Sequence, residues 1–410
     1  MPYHFDSLNF HSGMRMKKLL CILLAVIAVT PSGCSRSGKA VIAFTGDIMM
    51  HIPVKASAIA HNKVNEATKV SNNNGGFDFL FERIQDSFKG SDIVVGNMEF
   101  PVSPPFYAKP KIFNCYPEVI PALKKAGFTM LHIANNHILD QGEKGIISTM
   151  DYIGNNRLDY LGVAADEPAA RAGIVKNVDG MRIGFIGYAG HMNYSLPKKQ
   201  KGYHLNWLYN ASEVKHDIAD IRTRCDYLVL VAHTGVEYSP QPRSIDSELM
   251  KTYLNEGVDL IICHHTHLLQ PVEKIVTSDG RDCFIFYSLG NFISNQDAKA
   301  RLYVNGVPIT TRDSIIIRCI LTRTGSGGRP AARFEIMPIV TINEAGTRGR
   351  MIQTVSLIME RESLKKRYAH ADEKEKVEIG RRIQGIKQKS EAIKISLLKN
   401  FKSGEITFIE

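Results

Sequence analysis

Six short clusters of carboxylate, amide and imidazole residues stand along this chain: Thr45-Gly46-Asp47, Gly96-Asn97-Met98-Glu99, Asn135-Asn136-His137-Ile138-Leu139-Asp140, His233-Thr234-Gly235-Val236-Glu237, His264-His265-Thr266-His267 and Ser288-Leu289-Gly290-Asn291. Oxygen and imidazole donors together suit Zn, Mn or Fe. Two such ions about 3.5–4 Å apart can hold a phosphate, polarise it and activate water. Taken singly, each cluster has a plainer reading. Gly46-Asp47 is a turn, Asn136-His137 a cap, Glu237 a surface charge, and Asn291 after Gly290 a turn residue. His265 and His267 fall on one face of an extended segment and so could share an ion. The joint occurrence of all six, in order, is what points to a site.

Nearly every cluster closes an apolar run. The runs are Val41–Phe44, Ile93–Val95, Met130–Ala134, Ile183–Ile186, Tyr227–Ala232, Leu260–Cys263 and Phe284–Tyr287. They are short, rich in Val, Ile and Phe, and apolar throughout, as strands buried on both faces are. Helical patterns lie between several of them, one over Phe77–Lys89 and another that starts after Tyr116, with Pro117 in its first turn, and stops at Gly127. Strand and helix in alternation predict an α/β layered domain. In such folds the carboxyl ends of the strands gather residues distant in sequence, so the clusters are expected to meet.

Composition sets outer limits. The chain has 410 residues, 44% hydrophobic and 22% charged, which excludes a disordered chain, a fibre or a disulfide miniprotein. No run reaches the roughly 18 apolar residues of a spanning helix. The net charge of +10 is scattered, which suits an anionic polymer or a membrane surface and gives no sign of nucleic acid. Met16-Lys17-Lys18, the apolar run Leu19–Val29 and the small residues before Cys34 describe a signal peptide over residues 1–33. Cys34 is then the candidate lipidation site, and the expected place is the cell envelope, membrane-anchored. The remaining cysteines, Cys115, Cys225, Cys263, Cys283 and Cys319, are an odd, widely spaced set with no CxxC, read as buried small hydrophobes. Residues 40–345 form the expected main domain. Residues 346–410, dense in Lys, Glu and Arg from about 351, read as a charged helical extension. Neither a Ser-His-Asp nor a Cys-His set stands out, and no Walker-type glycine loop is present.

These motifs resemble the bacterial CapA/PgsA family of capsule and poly-γ-glutamate biosynthesis proteins. The resemblance runs from about Val41 to about Ile339. It rests on Phe44-Thr45-Gly46-Asp47-Ile48-Met49, on Ser91 to Glu99, on Ala134 to Gly142, on His233 to Tyr238, on His264 to His267 and on Tyr287 to Phe292. The family is similar to calcineurin-type metallophosphoesterases, which implies two packed β-sheets flanked by helices, a metallophosphoesterase-like α-β-β-α sandwich. The resemblance implies metal ligands at Asp47, Asn97, Glu99, Asn136, His233, His265 and His267, holding one or two divalent ions (Mn, Fe or Zn). It implies that His137 is the general acid, and it leaves Glu237 and Asn291 as substrate-facing candidates. The sequence departs from the wider superfamily at Met49, where a histidine is usual, at Asn97, where an aspartate is usual, and at Cys263, His264, Thr234 and Thr266.

The expected function is an exported, lipid-anchored, metal-dependent hydrolase-like protein of surface-polymer synthesis. Its partner is an anionic polymer or a phosphoester, with other polymer-synthesis subunits beside it. The alternative is a non-catalytic, membrane-anchored accessory protein that binds a nascent anionic polymer.

Overall fold

A computed structural model describes residues 38–66, 70–197, 199–324, 328–347, 349–399, 401 and 404–409. The expected signal peptide and Cys34 lie outside the described residues.

The seven apolar runs all fall on strands. The strand Gly38–Ile48 sits in the middle of a nine-stranded sheet. Its path runs Gly349–Ser356, Ala331–Gly346, Asp313–Arg323, Gly38–Ile48, Ile93–Met98, Met130–His132, Asp159–Leu161. Two short strands join off this path, Asn291–Ile293 beside Gly38–Ile48 and Ile406–Phe408 beside Ala331–Gly346. A second, six-stranded sheet runs Val272–Val276, Asp282–Phe286, Leu260–His264, Tyr227–His233, Met181–Ala189, Ile174–Val178. Its inner four strands are parallel, and its two edges are antiparallel.

The pleat assigns the layers, because alternate side chains leave a strand on opposite faces. Ile42, Phe44, Val95 and Met130 of the large sheet pack with Phe185, Val229, Val231, Ile262 and Phe286 of the small one, which forms the layer between the sheets. Ala43, Val94 and Leu131 point the other way, onto Val119–Ala126 and Gly142–Asn155. Ile186, Leu228, Leu230 and Ile261 point outward onto the helices Ala211–Arg222 and Ser244–Glu256. The result is the expected α-β-β-α sandwich. Each fully buried Phe or Ile in these layers contributes about 1.5–3 kcal/mol.

The helix expected to end at Gly127 spans Val119–Ala126, and Gly127 closes it in the left-handed region at φ 118°. Over Phe77–Lys89 the structure departs from the helix expected there. Two 3₁₀ segments occupy the region, Asn74–Leu80 and Gln85–Phe88. Phe77, Leu80, Phe81, Ile84 and Phe88 are all buried, and a spacing of three to four serves a three-residue turn as well as an α-turn. The charged C-terminal segment holds two helices, Leu357–Tyr368 capped by Ser356 and Glu373–Leu398 capped by Asp372. Residues 351–356, read as helix, are strand, because a short apolar run does not distinguish the two. Cys115, Cys225, Cys263, Cys283 and Cys319 are buried free thiols, as expected. Among the described residues no helix is long and apolar enough to cross a membrane.

Candidate metal centre

Strand register builds the site. In the large sheet Asp47 aligns with Asn291 on one side and Asn97 on the other, and Asn97 aligns with His132. In the small sheet His233 aligns with His264. Two rows of polar residues thus end the two sheets, each row one residue deep across neighbouring strands. Close backbone approach holds the first row together. Asp47 N donates to Gly290 O at 2.9 Å, and a Cβ on Gly46 would lie 2.0 Å from that same oxygen. Gly46 is therefore fixed by space.

Asp47 lies at the centre, fully buried. Asn97 Nδ2 donates to its Oδ1 at 2.8 Å, and the backbone N–H of His265 donates to its Oδ2 at 3.3 Å. His267 Nδ1 lies 3.2 Å from Oδ2, and His264 Nδ1 lies 3.1 Å from Oδ1 in an orientation that makes no hydrogen bond. Glu99 Oε1 sits 3.6 Å from His233 Nε2 and 3.8 Å from His267 Nε2. His233 Nε2 is also 2.8 Å from Asn136 Oδ1. Two donor sets result, Asp47 with Glu99 and His233, and Glu99 with His265 and His267, the donor atoms of each lying within 4.8 Å of one another. Glu99 belongs to both.

The protonation states follow from burial. Burial alone would raise the Asp47 carboxyl, but the adjacent His264 and His267 imidazoles hold it well below the ordinary carboxylate range. Glu99 is pushed well above it, by burial first and then by the charges of Asp47, Glu237 and Asp140. Burial, reinforced by neighbouring imidazoles, drives His233 far down and brings His265 and His132 to about 3. These three imidazoles are thus neutral at physiological pH, the form that binds a metal.

The fit to a divalent ion shows in the atoms left over. Glu99 Oε1, His132 Nε2, His264 Nδ1 and His265 Nδ1 are buried with no hydrogen-bond partner. Orphaned buried polar atoms are rare in folded proteins, because each costs about 1–3 kcal/mol. Four in one oxygen–nitrogen cluster match what a metal ion would satisfy.

Asp47, Glu99, Asn136, His233, His265 and His267 are therefore brought together as expected. Asn97 is there too, as a connector. Its Nδ2 faces Asp47, Glu99 and His233, while its Oδ1 accepts from Asn135 at 3.3 Å and lies 3.2 Å from His132 Nδ1. Asn291 is fully buried at 3.1 Å from His267 Nδ1, facing a donor residue and not open solvent. Glu237 is exposed and outside the buried cluster, although its charge reaches Glu99. His137 lies at the rim with Nδ1 2.8 Å from Asp140 Oδ2 and its ring 4.3 Å from Phe113. Asn193 joins the two halves of the Asn136-His137 motif. Its Oδ1 accepts from Asn136 Nδ2 at 3.1 Å, and its Nδ2 lies 3.4 Å from His137 Nδ1. Sequence reasoning missed His132, His264 as a neighbour of Asp47, and Asn193. His132 did carry a signal, being the polar exception inside the run Met130–Ala134.

Fold and site together define an α-β-β-α sandwich with a buried carboxylate–imidazole centre at the strand ends. The family described as bacterial capsule synthesis protein PGA_cap matches residues 41–296, and the chain belongs to it. The chain is similar to the capsule biosynthesis protein CapA of Bacillus anthracis, 31% identical over 284 residues, or 66% of this chain and 63% of that protein. It is also similar to the PGA biosynthesis protein CapA of Bacillus subtilis, 30% identical over 310 residues, or 74% of this chain and 71% of that protein. The matched region is thus somewhat under two thirds of the length of the anthrax relative. Among solved structures, NAD nucleotidase of Haemophilus influenzae aligns over 91% of this chain and 64% of its own, at 12% identity and a TM-score of 0.44.

Proposed function

We propose that this chain is an exported, metal-dependent phosphoesterase-like protein of capsule or poly-γ-glutamate-type polymer synthesis, held at the membrane through a lipid on Cys34. The observation that carries the metal reading is the set of four partnerless polar atoms around Asp47 and Glu99. The relatives' names, capsule biosynthesis and PGA biosynthesis, support the polymer.

In this reading Asp47, Glu99, His233, His265 and His267 hold the metal. A divalent cation bound there supplies Lewis-acid polarisation of a phosphoryl oxygen and a lower pKa for water. The chain's own residues do the rest. Asp140 Oδ2, fixed by the Phe113 N–H, accepts from His137 Nδ1 and sets the ring's orientation. That leaves His137 Nε2 as the atom that passes a proton to a leaving oxygen. Asn136 bridges His233 to Asn193, which packs beside His137. Asn97 links Asp47 to Glu99 and holds the two carboxylates in register.

The second reading is an accessory protein that binds polymer without chemistry. Met49, buried where a histidine ligand is usual, favours it, because it offers no strong donor. Elemental analysis of the chain from residue 35, wild type beside the His265→Ala/His267→Ala double variant, tests the metal. Stoichiometric Mn, Fe or Zn, lost in the double variant, is the expected result and opens a phosphodiester screen. A wild type that takes up neither Mn²⁺ nor Zn²⁺ refutes the metal reading and leaves the accessory one.

A further inference from the structure

Among the described residues nine non-glycine residues have positive φ, and three of them crowd the metal centre: His265 at 100°, His267 at 57° and Tyr238 at 63°. The first two belong to the donor sets. Tyr238 does not, yet the protein holds it as firmly. Its N–H donates to Thr266 O at 2.8 Å, inside the His265–His267 loop, and its ring lies 6.0 Å from the His267 ring. A bulky residue kept in this sparsely populated region marks a place where the surroundings dictate the conformation. Side chains tie it to the centre as well. His267 Nδ1 lies 3.1 Å from Asn291 Oδ1, Asn291 Nδ2 donates to Gln296 Oε1 at 3.0 Å, and Gln296 Nε2 donates to the Tyr238 hydroxyl at 3.3 Å.

Arg301 lies over this ring, its guanidinium carbon 4.8 Å from the ring centroid. A guanidinium held over an aromatic face keeps N–H donors able to grip a planar oxyanion. One donor is engaged, from Nη2 to Asp297 Oδ1 at 3.3 Å. Arg312 donates from Nε to Gln296 O at 3.4 Å and makes no ion pair among the described residues, although the charges of Asp297 and Asp313 act on it. Arg301 and Arg312 thus stand at the lip with two carboxylates, Asp297 on Arg301 and Glu237 beside the Tyr238 hydroxyl, and the single contact to Asp297 leaves the other Arg301 donors open to a ligand.

We propose that Tyr238 and Arg301, backed by Arg312, form an oxyanion-binding subsite at the lip of the metal centre. The subsite takes the carboxylate or phosphate of a polymer unit adjoining the one at the centre. This rests on the reading above that the chain handles an anionic polymer. The 6.0 Å between the Tyr238 and His267 rings places the subsite next to the centre, within reach of a neighbouring unit of a bound polymer. The subsite therefore selects for charge next to the reacting unit and not at it.

The test is binding of fluorescently labelled poly-γ-glutamate and, separately, of poly(glycerol phosphate) to the metal-loaded protein, at low and at physiological salt. The proteins are wild type, Arg301→Gln, Arg301→Lys and Tyr238→Phe. Metal content and thermal melting of each variant establish that the centre and the fold are intact. Arg301→Gln is expected to weaken binding about tenfold, the effect of one charge-assisted contact, and to flatten the salt dependence. Arg301→Lys should recover part of that loss, keeping the charge without the fork. A loss confined to the glutamate polymer assigns a carboxylate; a loss on both assigns an oxyanion of either kind. Arg301→Gln that binds both polymers like wild type, with the same salt dependence, overturns the subsite while leaving the proposed function standing. A wild type that binds neither polymer overturns the polymer reading, and the subsite with it.

Discussion

Gly46→Ala is the sharpest single test of how the centre is assembled. The substitution adds one methyl group next to Asp47 and removes no donor. That methyl would lie 2.0 Å from Gly290 O, where real contacts stay beyond 3.0 Å. The obstacle is backbone on both sides, so no side chain can turn away to relieve it. Strand and loop must separate by at least 1.0 Å. The hydrogen bond from Asp47 N to Gly290 O, 2.9 Å in the native fold, does not survive that separation. The lost buried hydrogen bond costs about 1–3 kcal/mol, and the overpacking a further ~1–3 kcal/mol, so a total of about 2–6 kcal/mol is expected. The same shift moves Asn291 off Asp47 and loosens its contact with His267. Urea unfolding of the metal-free protein reads the first effect. Competition with a chromogenic chelator reads the second, a metal affinity lowered by at least tenfold. If Gly46→Ala unfolds at the wild-type midpoint and holds metal as tightly, the close approach of strand and loop does not fix the centre and the reasoning is refuted.

Other outcomes follow from the same geometry. Glu99→Gln removes the carboxylate common to both donor sets and should abolish stoichiometric metal binding. It should also leave the metal-free protein at least as stable, because a buried carboxyl beside Asp47 is no longer present; lower metal-free stability in urea would contradict this. His137→Ala is expected to keep its metal and lose about 10²–10⁴-fold in phosphodiester turnover, and unchanged turnover would remove it as the acid. Metal-free protein should lose stability as pH falls below about 6.5. His132 and His265 titrate near 3 in the fold, and His233 is also far depressed, so the unfolded chain takes up their protons first. Glu99, raised in the fold, works in the opposite direction with one proton against three. Unfolding at pH 7.5 and pH 5 checks the sign, and a protein more stable at pH 5 would contradict it.

Much of the sandwich was legible because its strands are apolar on both faces and its clusters end those strands. Asp47, Asn136, His233, His265 and His267 were readable for that reason: each follows or closes an apolar run, and the strand ends converge. The roles of Asn97 and Asn291 were not, since what an amide connects depends on neighbours across the sheet. The pairing of Asp47 with Asn291, or of His233 with His264, is a matter of register that no local pattern encodes. His264 stood in the sequence as the first residue of the His264–His267 cluster and as a departure from the wider superfamily, and its place beside Asp47 came from the packing of the two sheets. Glu237 follows a run as the others do, yet the turn at Gly235, φ 124°, carries it to the surface. The charged C-terminal segment misled over 351–356, where buried Ile352 and Val355 complete the edge of the large sheet.

The central strand Gly38–Ile48 has its antiparallel partner at Asp313–Arg323, with Gly38 opposite Arg323. The centre of the large sheet is thus closed by a segment that emerges from the ribosome long after the strand it must meet. Asp47 meanwhile waits for its neighbour Asn291. Contacts of such long sequence separation make folding slow, because the chain entropy of closing the loop is lost before the pairing rewards it. On the proposed metal reading, capture of the ion is consequently a late event in the life of each molecule, possible only once nearly the whole sandwich exists. Until then the carboxylates and imidazoles are separate side chains on an open polypeptide, so the time at which an ion is acquired reports on the completion of the fold.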